Sequence, residues 1–287
     1  MLIVGCGYVG RRVAALHRAR GETVVGVVRT TASAGALGRD GIEAIRADLD
    51  GSLPALPTRG PGIYYLAPPP ETGTTDPRLG AFLANLDHSG QPRRIVYVGT
   101  TGIYGDCHGD WVDESRPANP SVDRARRRWD AESRLRDWSA RSGGELVVLR
   151  VAGIYGPGRL PLERLRRGLP MVGEDEAPWT NRIHADDLAT VCVAAMDRAP
   201  GGAVYNVSDG HPGNMADYFN RVADLAGLPR PPVVRLADAG GTLSEGLLSY
   251  LRESRRLDNR RMLRELGVTL RYPTLEAGLP GCLGGRE

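Results

Sequence analysis

Three glycines near the start of the chain, Gly5, Gly7 and Gly10, have a spacing that suits binding of a diphosphate. In a G-x-G-x-x-G turn the first glycine permits a tight bend, and the second lets the backbone approach a pyrophosphate. The third lets the following helix pack closely on the strand. A diphosphate bound there lies at the helix N-terminus, where free N–H groups and the helix dipole favour negative charge. The spacing therefore predicts a dinucleotide-binding turn.

The residues around this turn predict the elements that it requires. Residues 2–4 form a short apolar run, and Val9, Val13 and Leu16 then recur at helical spacing. Residues 23–28 are rich in β-branched side chains, which is typical of a second strand. Strand, glycine turn, helix and strand together make a βαβ unit, which is the context that gives the motif its meaning.

The end of the second predicted strand bears on the choice between NAD and NADP. Enzymes that use NAD place an acidic residue there to bind the ribose 2′-hydroxyl. This chain has Arg29 and Thr30 instead, followed by Thr31 and Ser33. A guanidinium can pair with a 2′-phosphate through two donors, and the hydroxyls can add further hydrogen bonds. We therefore expect NADP, with NAD as the alternative.

The pattern of the rest of the chain predicts the fold class. Strand-like runs at residues 42–45, 63–66, 95–98 and 146–149 alternate with helical patterns, which indicates an α/β fold with a doubly wound parallel sheet of the Rossmann type. A smaller, α-rich C-terminal substrate subdomain is expected to follow. The predicted division is residues 1–155 for NAD(P) binding and 156–287 mainly for substrate, with residues 182–207 returning to the sheet.

The composition narrows the possible classes of function. The chain has 287 residues, a net charge of +3, 41% hydrophobic residues and only two Phe, so no basic or aromatic surface for nucleic acid is expected. No apolar run is long enough to span a membrane, and the start lacks a secretory pattern. Its four widely spaced cysteines suggest neither a disulfide framework nor a metal site. We therefore expect a cytoplasmic protein that binds a small-molecule substrate and no nucleic acid, membrane or metal.

Several longer stretches resemble the extended short-chain dehydrogenase/reductases, the NAD(P)-dependent epimerase/dehydratase family. They occur in family order from the N-terminus to about residue 207. The similar stretches are residues 5–10, Asp48-Leu49, 97–105 (YVGTTGIYG), 149–158 (LRVAGIYGPG), 182–187 (RIHADD) and 204–207 (VYNV).

The resemblance implies a set of cofactor-binding residues beyond the glycines. That set consists of Gly5, Gly7, Tyr8, Val9, Gly10, Arg29, Thr30, Asp48, Leu49, Ala67, Thr100, Arg128 and Val151. It also implies a catalytic Ser or Thr, for which Thr100 matches. The family's Tyr-x-x-x-Lys pair has no counterpart, because Arg124 and Arg128 occupy the aligned positions and the whole chain contains no Lys. This chain therefore looks like an atypical member.

A different proton donor is required if the protein is an enzyme. Tyr104, Tyr155 and His184 lie in the resembling segments, and Tyr104 is the preferred candidate because it follows Thr100 closely. Arg128 is expected to contact the cofactor ribose and supply positive charge. We expect the substrate to contact Thr101, Tyr155, Arg159 and His184. The Arg159 guanidinium suits an anionic group on that substrate. Each of these side chains can also be structural.

Two functions remain open from the sequence. The first is an NADP-dependent oxidoreductase or epimerase-like enzyme that acts on a small polar carbonyl or hydroxyl compound with a non-standard proton donor. The second is a non-catalytic NADP-binding sensor or scaffold that has lost the family's acid. The Thr at position 100 favours the first, and the missing Tyr and Lys favour the second. The protein is expected to be a monomer or a homodimer.

Overall fold

A computed structural model describes residues 1–60 and 62–284 of the chain, apart from the side chains of Asp87 and His88. Over these residues the strands are β1 (Leu2–Val4), β2 (Val25–Val28), β3 (Glu43–Arg46), β4 (Ile63–Tyr65), β5 (Arg94–Val98), β6 (Trp111–Val112), β7 (Glu145–Val151), β8 (Gly153–Tyr155), β9 (Met171–Val172), β10 (Trp179–Thr180), β11 (Arg182–His184), β12 (Val204–Val207), β13 (Gly213–Asn214), β14 (Val233–Val234) and β15 (Arg256–Leu257).

The helices connect these strands. They are α1 (Tyr8–Ala19), α2 (Thr31–Arg39), α3 (Pro77–Ser89), α4 (Asp123–Ser142), α5 (Leu162–Arg166), α6 (Ala185–Arg198), α7 (Met215–Ala226), α8 (Glu245–Leu251), α9 (Arg260–Leu266) and α10 (Leu275–Gly278), with short 3₁₀ turns at Thr101–Tyr104, Leu236–Asp238 and Pro280–Cys282.

Seven strands form one parallel sheet, which confirms the predicted doubly wound α/β fold. Their order is β12-β7-β5-β4-β1-β2-β3, and every neighbouring pair is parallel. The chain runs outward from β1 to β3 and then, from β4 onward, in the opposite direction. The order therefore reverses between β1 and β4, and open α/β sheets bind ligands at the carboxyl ends of the strands beside such a reversal.

Side chains from the sheet alternate between two hydrophobic cores. On β1, Leu2 and Val4 pack into one core, and Ile3 packs into the other, as expected from the two-residue period of a strand. The Leu2 face is covered by α3 and α4. The Ile3 face is covered by residues of α1, α2, α6 and α9. Helices therefore cover both faces, which explains why these strands are almost continuously apolar.

A separate apolar cluster lies in the later part of the chain. It joins Leu165, Met171 and Val172 to residues of α7 and α8 and to Cys282. Of the predicted returning segment 182–207, β12 joins the main sheet by pairing with β7, in register from Val204 opposite Val148. β11 instead pairs with β8 in a separate two-stranded sheet. The division of the chain at residue 155 stays a prediction.

Two helix starts differ from what the sequence pattern indicates. Residues 31–39 form α2, which the pattern does not indicate, and the Thr30 side chain caps its first turn by accepting from the Ser33 amide. The run from Thr31 contains two glycines, which weaken the helical pattern in the sequence. For α6, the acidic residues after His184 indicate Asp186 or Asp187 as the cap. The cap is instead His184, whose Nδ1 accepts from the Asp186 amide, and both aspartates lie in the first turn.

Candidate active site

The three glycines differ in what surrounds them, and the differences match their expected roles. Gly5 has φ of +85°, and a Cβ there would lie 2.5 Å from the amide nitrogen of Ala67. A Cβ on Gly10 would come within 3.1 Å of the Gly5 carbonyl and the Ile3 side chain. By contrast, a Cβ on Gly7 would meet no atom within 4 Å. The turn thus packs tightly on both sides and leaves open space at its middle glycine.

The start of α1 is available to a ligand. Gly7 is the N-cap residue and exposed, and no side chain caps the helix. The first turn contains no acidic residue, so nothing there opposes an anion. These features fit a diphosphate bound by backbone amides, which is the group that the glycine spacing predicts.

The carboxyl ends of β2 and β3 bring two arginines together. Arg29 follows β2 directly and is exposed, and Arg46 lies opposite Val28 in the register between the two strands. Arg46 donates from Nη1 to the Thr31 hydroxyl at 2.9 Å, which places its guanidinium at the start of α2. The Thr30 hydroxyl bonds to Ser33 as the helix cap. Sequence analysis found Arg29 and Thr30 but missed Arg46, because only the parallel register makes it their neighbour.

A cleft of about 520 Å³ opens beside the carboxyl ends of β5 and β7. Its walls include four residues that were predicted separately from the sequence, namely Thr100, Thr101, Arg128 and Val151. The Thr100 Oγ1 accepts a hydrogen bond from the Gly102 amide at 3.1 Å and caps the 3₁₀ turn that follows β5. The structure therefore brings the predicted Thr100 and Arg128 to one cavity.

The walls of this cleft carry more positive than negative charge. Five arginines line it, at positions 124, 127, 128, 182 and 255, against two glutamates, Glu71 and Glu253. Glu253 is buried and already engaged, since it accepts from Arg124 at 3.3 Å and from Arg255 at 3.0 Å. An excess of guanidinium groups in a concave site favours an anionic ligand.

Arg182 shows this excess most clearly. In the described chain its guanidinium forms no ion pair, and its Nη1 donates only to the Asn181 carbonyl at 3.1 Å while the group lies over the ring of Tyr218. Burial lowers the pKa of Arg182. Burial also raises the pKa of the nearby Asp209 to about 7, and the Oδ2 of that carboxyl lacks a hydrogen-bond partner. Arg182 is thus a cation on the cleft wall that forms no ion pair within the described residues.

Tyr104, the preferred proton donor from the sequence, is not brought to the cleft. Its side chain is buried, its hydroxyl donates to Asn206 Oδ1 at 2.7 Å, and it accepts from Arg150 Nη1 at 2.9 Å. Arg150 in turn pairs with the buried Glu132 at 2.8 Å. Burial raises the pKa of Tyr104 to about 12. The hydroxyl therefore belongs to an internal polar network that joins the 3₁₀ turn after β5 to β7, β12 and α4.

Tyr155 and His184 are likewise buried and absent from the walls of the cleft. Their rings pack edge to face with centroids 5.2 Å apart, and His184 also stacks on Tyr272. The Tyr155 hydroxyl donates to the Thr274 carbonyl, and the His184 ring caps α6. Burial lowers the pKa of His184 and raises that of Tyr155. Both residues hold the C-terminal segment against the sheet.

Arg159 lies beside the glycine turn instead of in the cleft. The Arg159 guanidinium lies 4.7 Å from the centroid of the Tyr8 ring, and the Arg12 guanidinium lies 4.0 Å from the same centroid. The Tyr8 hydroxyl donates to the Pro157 carbonyl at 2.8 Å. The loop after β8 is therefore tied to the first turn of α1, and the anion closest to Arg159 would be one bound at that turn.

The remaining predicted cofactor residues lie at other carboxyl ends of the sheet. Asp48 is exposed and accepts from the Asp50 amide, and Leu49 is half-buried beside one core. Ala67 is buried and touches Gly5, and Val9 packs against the other core. The sequence did not predict Arg182, Tyr250 or Glu253 as cleft residues. Arg182 lies in a segment that resembles the family but was given no role there, and Tyr250 and Glu253 lie in segments with no recognisable motif.

Searches for a metal site and a membrane span found neither in the described residues. No group of three or more His, Cys, Asp or Glu there is arranged to hold a metal ion. Among the same residues, no helix is long and apolar enough to cross a membrane.

Together, the parallel sheet, the glycine turn and the cleft at the carboxyl edge of the sheet define a Rossmann-type protein with a candidate dinucleotide site. The model of the NAD dependent epimerase/dehydratase family matches residues 78–208. The chain belongs to this family, as its resembling segments predicted.

Individual proteins are also similar to this chain over nearly its whole length. A functionally unknown conserved protein from Silicibacter pomeroyi DSS is 33% identical, with 98% of this chain and 96% of that chain covered and a TM-score of 0.83. Protein YeeZ of Escherichia coli is 28% identical over 94% of this chain and 95% of its own length. A double mutant of the dTDP-glucose 4,6-dehydratase DesIV from Streptomyces venezuelae, solved with NAD and DAU, has a TM-score of 0.81 at 20% identity, covering 98% and 95% of the two chains. At 20% identity, the similarity to DesIV shows a shared fold alone.

Proposed function

We propose that this protein is an NADP-dependent oxidoreductase or epimerase-like enzyme that acts on a small polar carbonyl or hydroxyl compound. Family membership supports an NAD(P)-dependent enzyme in general. The observation that carries the finer proposal is the open space at Gly7, together with a cleft at the same carboxyl edge of the sheet that holds Thr100 and Arg128. One site can thus hold a diphosphate while the other accommodates a reacting group.

The residues present fit such a cofactor along its length. The α1 amides after Gly7 bind the diphosphate, and Arg29 with Arg46 binds the ribose 2′-phosphate. Asp48 and Leu49 border the adenine, and Ala67 and Val151 border the cofactor chain. Arg128 contacts the nicotinamide ribose. When bound, the cofactor supplies or accepts a hydride at its nicotinamide ring.

Thr100 and the arginines of the cleft prepare the substrate. The Thr100 oxygen accepts from the Gly102 amide, so its own O–H remains available to donate a hydrogen bond to a substrate oxygen. Arg128 adds positive charge on the same wall, where negative charge develops on a carbonyl oxygen during reduction. The unpaired cations of the cleft wall favour a substrate that carries an acidic group.

Calorimetric titration with NADP and with NAD tests the cofactor assignment. We expect binding of both and a lower dissociation constant for NADP. NADPH oxidation is then followed with glyceraldehyde, phenanthrenequinone and a UDP-linked ketohexose as carbonyl probes. Failure of both dinucleotides to bind would overturn the proposal, and oxidation of NADPH by any of the probes would support the enzyme.

A non-catalytic NADP-binding sensor or scaffold is the second candidate. The observation that favours it is the pair Arg124 and Arg128, which stand where the resemblance predicts Tyr and Lys. The open cleft argues against it, because a sensor has no need for a cavity next to the nicotinamide. Tight NADPH binding without turnover of any probe would support this candidate.

A further inference from the structure

We infer that Tyr250, on α8, is the proton-exchange group of the cleft, and that Arg124 stabilises its phenolate. This inference rests on the proposed function, which requires a proton donor that the sequence did not identify. It concerns a residue outside all of the segments that resemble the family.

Tyr250 is placed where a donor is needed. Within the described residues it is the sole tyrosine on the cleft wall, and no histidine or cysteine lines the cleft. Thr100 and Arg128 line the same cavity. The side chain of Tyr250 is 51% exposed, so bulk water can restore its proton after each cycle.

The hydroxyl of Tyr250 is free to act. No residue of the described chain forms a hydrogen bond with it, in contrast to the buried hydroxyl of Tyr104, which has two partners. A donor must reach hydrogen-bonding distance of the substrate atom, and an unengaged hydroxyl can do so without first breaking an internal bond.

Arg124 provides the positive charge that a phenolate requires. Its guanidinium lies 3.8 Å from the centroid of the Tyr250 ring. The guanidinium is held there by the Ser249 hydroxyl at 3.2 Å and by Glu253 at 3.3 Å. The fixed cation stays charged throughout the pH range of the protein, so it can stabilise the negative charge left on the phenol oxygen.

The proton step balances with the cofactor of the proposed function. When a carbonyl is reduced, its carbon gains a hydride from the nicotinamide cofactor, and its oxygen gains a proton from the Tyr250 O–H bond. The electron pair of that bond remains on the phenol oxygen beside Arg124, until water returns a proton. Oxidation of an alcohol runs through the same groups in reverse.

Tyr250→Phe removes the hydroxyl and keeps the ring that packs on Arg124. For a carbonyl probe that the wild type reduces, we expect kcat to fall by about 10²–10⁴-fold, with KM and the NADPH dissociation constant unchanged. Arg126→Gln is the matched control on α4, because Arg126 is exposed and pairs only with Asp123. Unchanged kcat in Tyr250→Phe would overturn the role of Tyr250 and leave the proposed function standing.

A second measurement needs neither substrate nor cofactor. Tetranitromethane nitrates the phenolate form of tyrosine, and peptide mass spectrometry reports the rate at Tyr250 alone. We expect Arg124→Gln to slow nitration about fivefold, the factor that corresponds to loss of about 1 kcal/mol of charge interaction in water. Arg124→Lys keeps the charge and should react at close to the wild-type rate. Equal rates in all three proteins would overturn the inference, whatever the cofactor titrations show.

Discussion

Arg150 donates from Nη1 to the hydroxyl of Tyr104 at 2.9 Å, deep inside the protein. The same hydroxyl donates to Asn206 on β12, and the same guanidinium pairs with Glu132 on α4. A buried polar group is stable only when it has its partners. Tyr104 thereby links two strands and a helix, and this explains why a tyrosine so close to Thr100 in sequence lies outside the cleft.

The first prediction follows from this network. Tyr104→Phe leaves the buried Asn206 Oδ1 without a partner in the described chain, and Arg150 Nη1 keeps the Glu114 carbonyl at 3.5 Å as an acceptor but loses the closer one. The free energy of unfolding should therefore fall by about 1–3 kcal/mol. Urea unfolding measures this loss. Turnover per folded molecule should stay at the wild-type level, because the side chain lies outside the cleft. A drop in kcat with unchanged stability would return Tyr104 to the list of proton donors.

The second prediction separates the roles of two glycines. A Cβ on Gly7 enters open space, so Gly7→Ala should abolish NADP binding in calorimetry while the free energy of unfolding changes little. Gly10→Ala is the matched variant, and its Cβ would crowd the Gly5 carbonyl at 3.1 Å. We expect it to cost about 1–3 kcal/mol of stability, as overpacking does. Tight NADP binding by a folded Gly7→Ala protein would contradict the assignment of the turn.

The third prediction concerns the preference for NADP. Arg29→Gln and Arg46→Gln each remove a cation next to the start of α2. A hydrogen bond to a charged group contributes about 1.5–3 kcal/mol, so NADP affinity should fall about 10–100-fold in Arg29→Gln.

NAD is the internal control for these variants, because it lacks the 2′-phosphate. Its dissociation constant should remain at the wild-type value in both proteins. Equal losses of NAD and NADP affinity would show that the two arginines support the local structure and do not select the phosphate.

The fourth prediction is a dependence of stability on pH. Burial raises the pKa of Asp209 from 3.8 to about 7, with His211 and Arg182 as the charged groups that face it. The folded protein therefore holds this proton more tightly than the unfolded chain does. The contribution of Asp209 is largest below pH 4 and is lost as the pH rises to about 7. The loss is at most about 4 kcal/mol, since one pKa unit corresponds to about 1.4 kcal/mol.

Asp209→Asn tests this dependence. Its free energy of unfolding should decline less between pH 5 and pH 8 than that of the wild type, as measured by urea titration at each pH. Asp224→Asn is the control, because Asp224 is exposed and paired with Arg230, and it should keep the wild-type decline. Parallel curves for the wild type and Asp209→Asn would contradict the prediction.

The sequence by itself determined the sheet-forming runs and the cofactor turn. Both are local signals, because a strand between two helical layers must be apolar and a diphosphate turn needs glycine at fixed positions. For the same reason, the run at residues 95–98 predicted β5 within one residue of its observed bounds. Thr100 and Val151 were also predicted from the sequence, since they lie in continuous segments that resemble the family, and Arg128 was predicted from its alignment with the position of the family's Lys.

Only the tertiary structure decided which side chains share the cleft. Arg182 and Tyr250 come from β11 and α8, and their proximity to Thr100 results from how the C-terminal segments pack on the sheet. The parallel register of β3 on β2 likewise brought Arg46 to Arg29. Hydrogen bonds to Arg150 and Asn206 hold the Tyr104 side chain away from the cleft, and no sequence spacing predicts these bonds. Hydrogen bonding and burial join residues that are distant in sequence, so linear patterns identify the candidates, and packing determines which of them face a ligand.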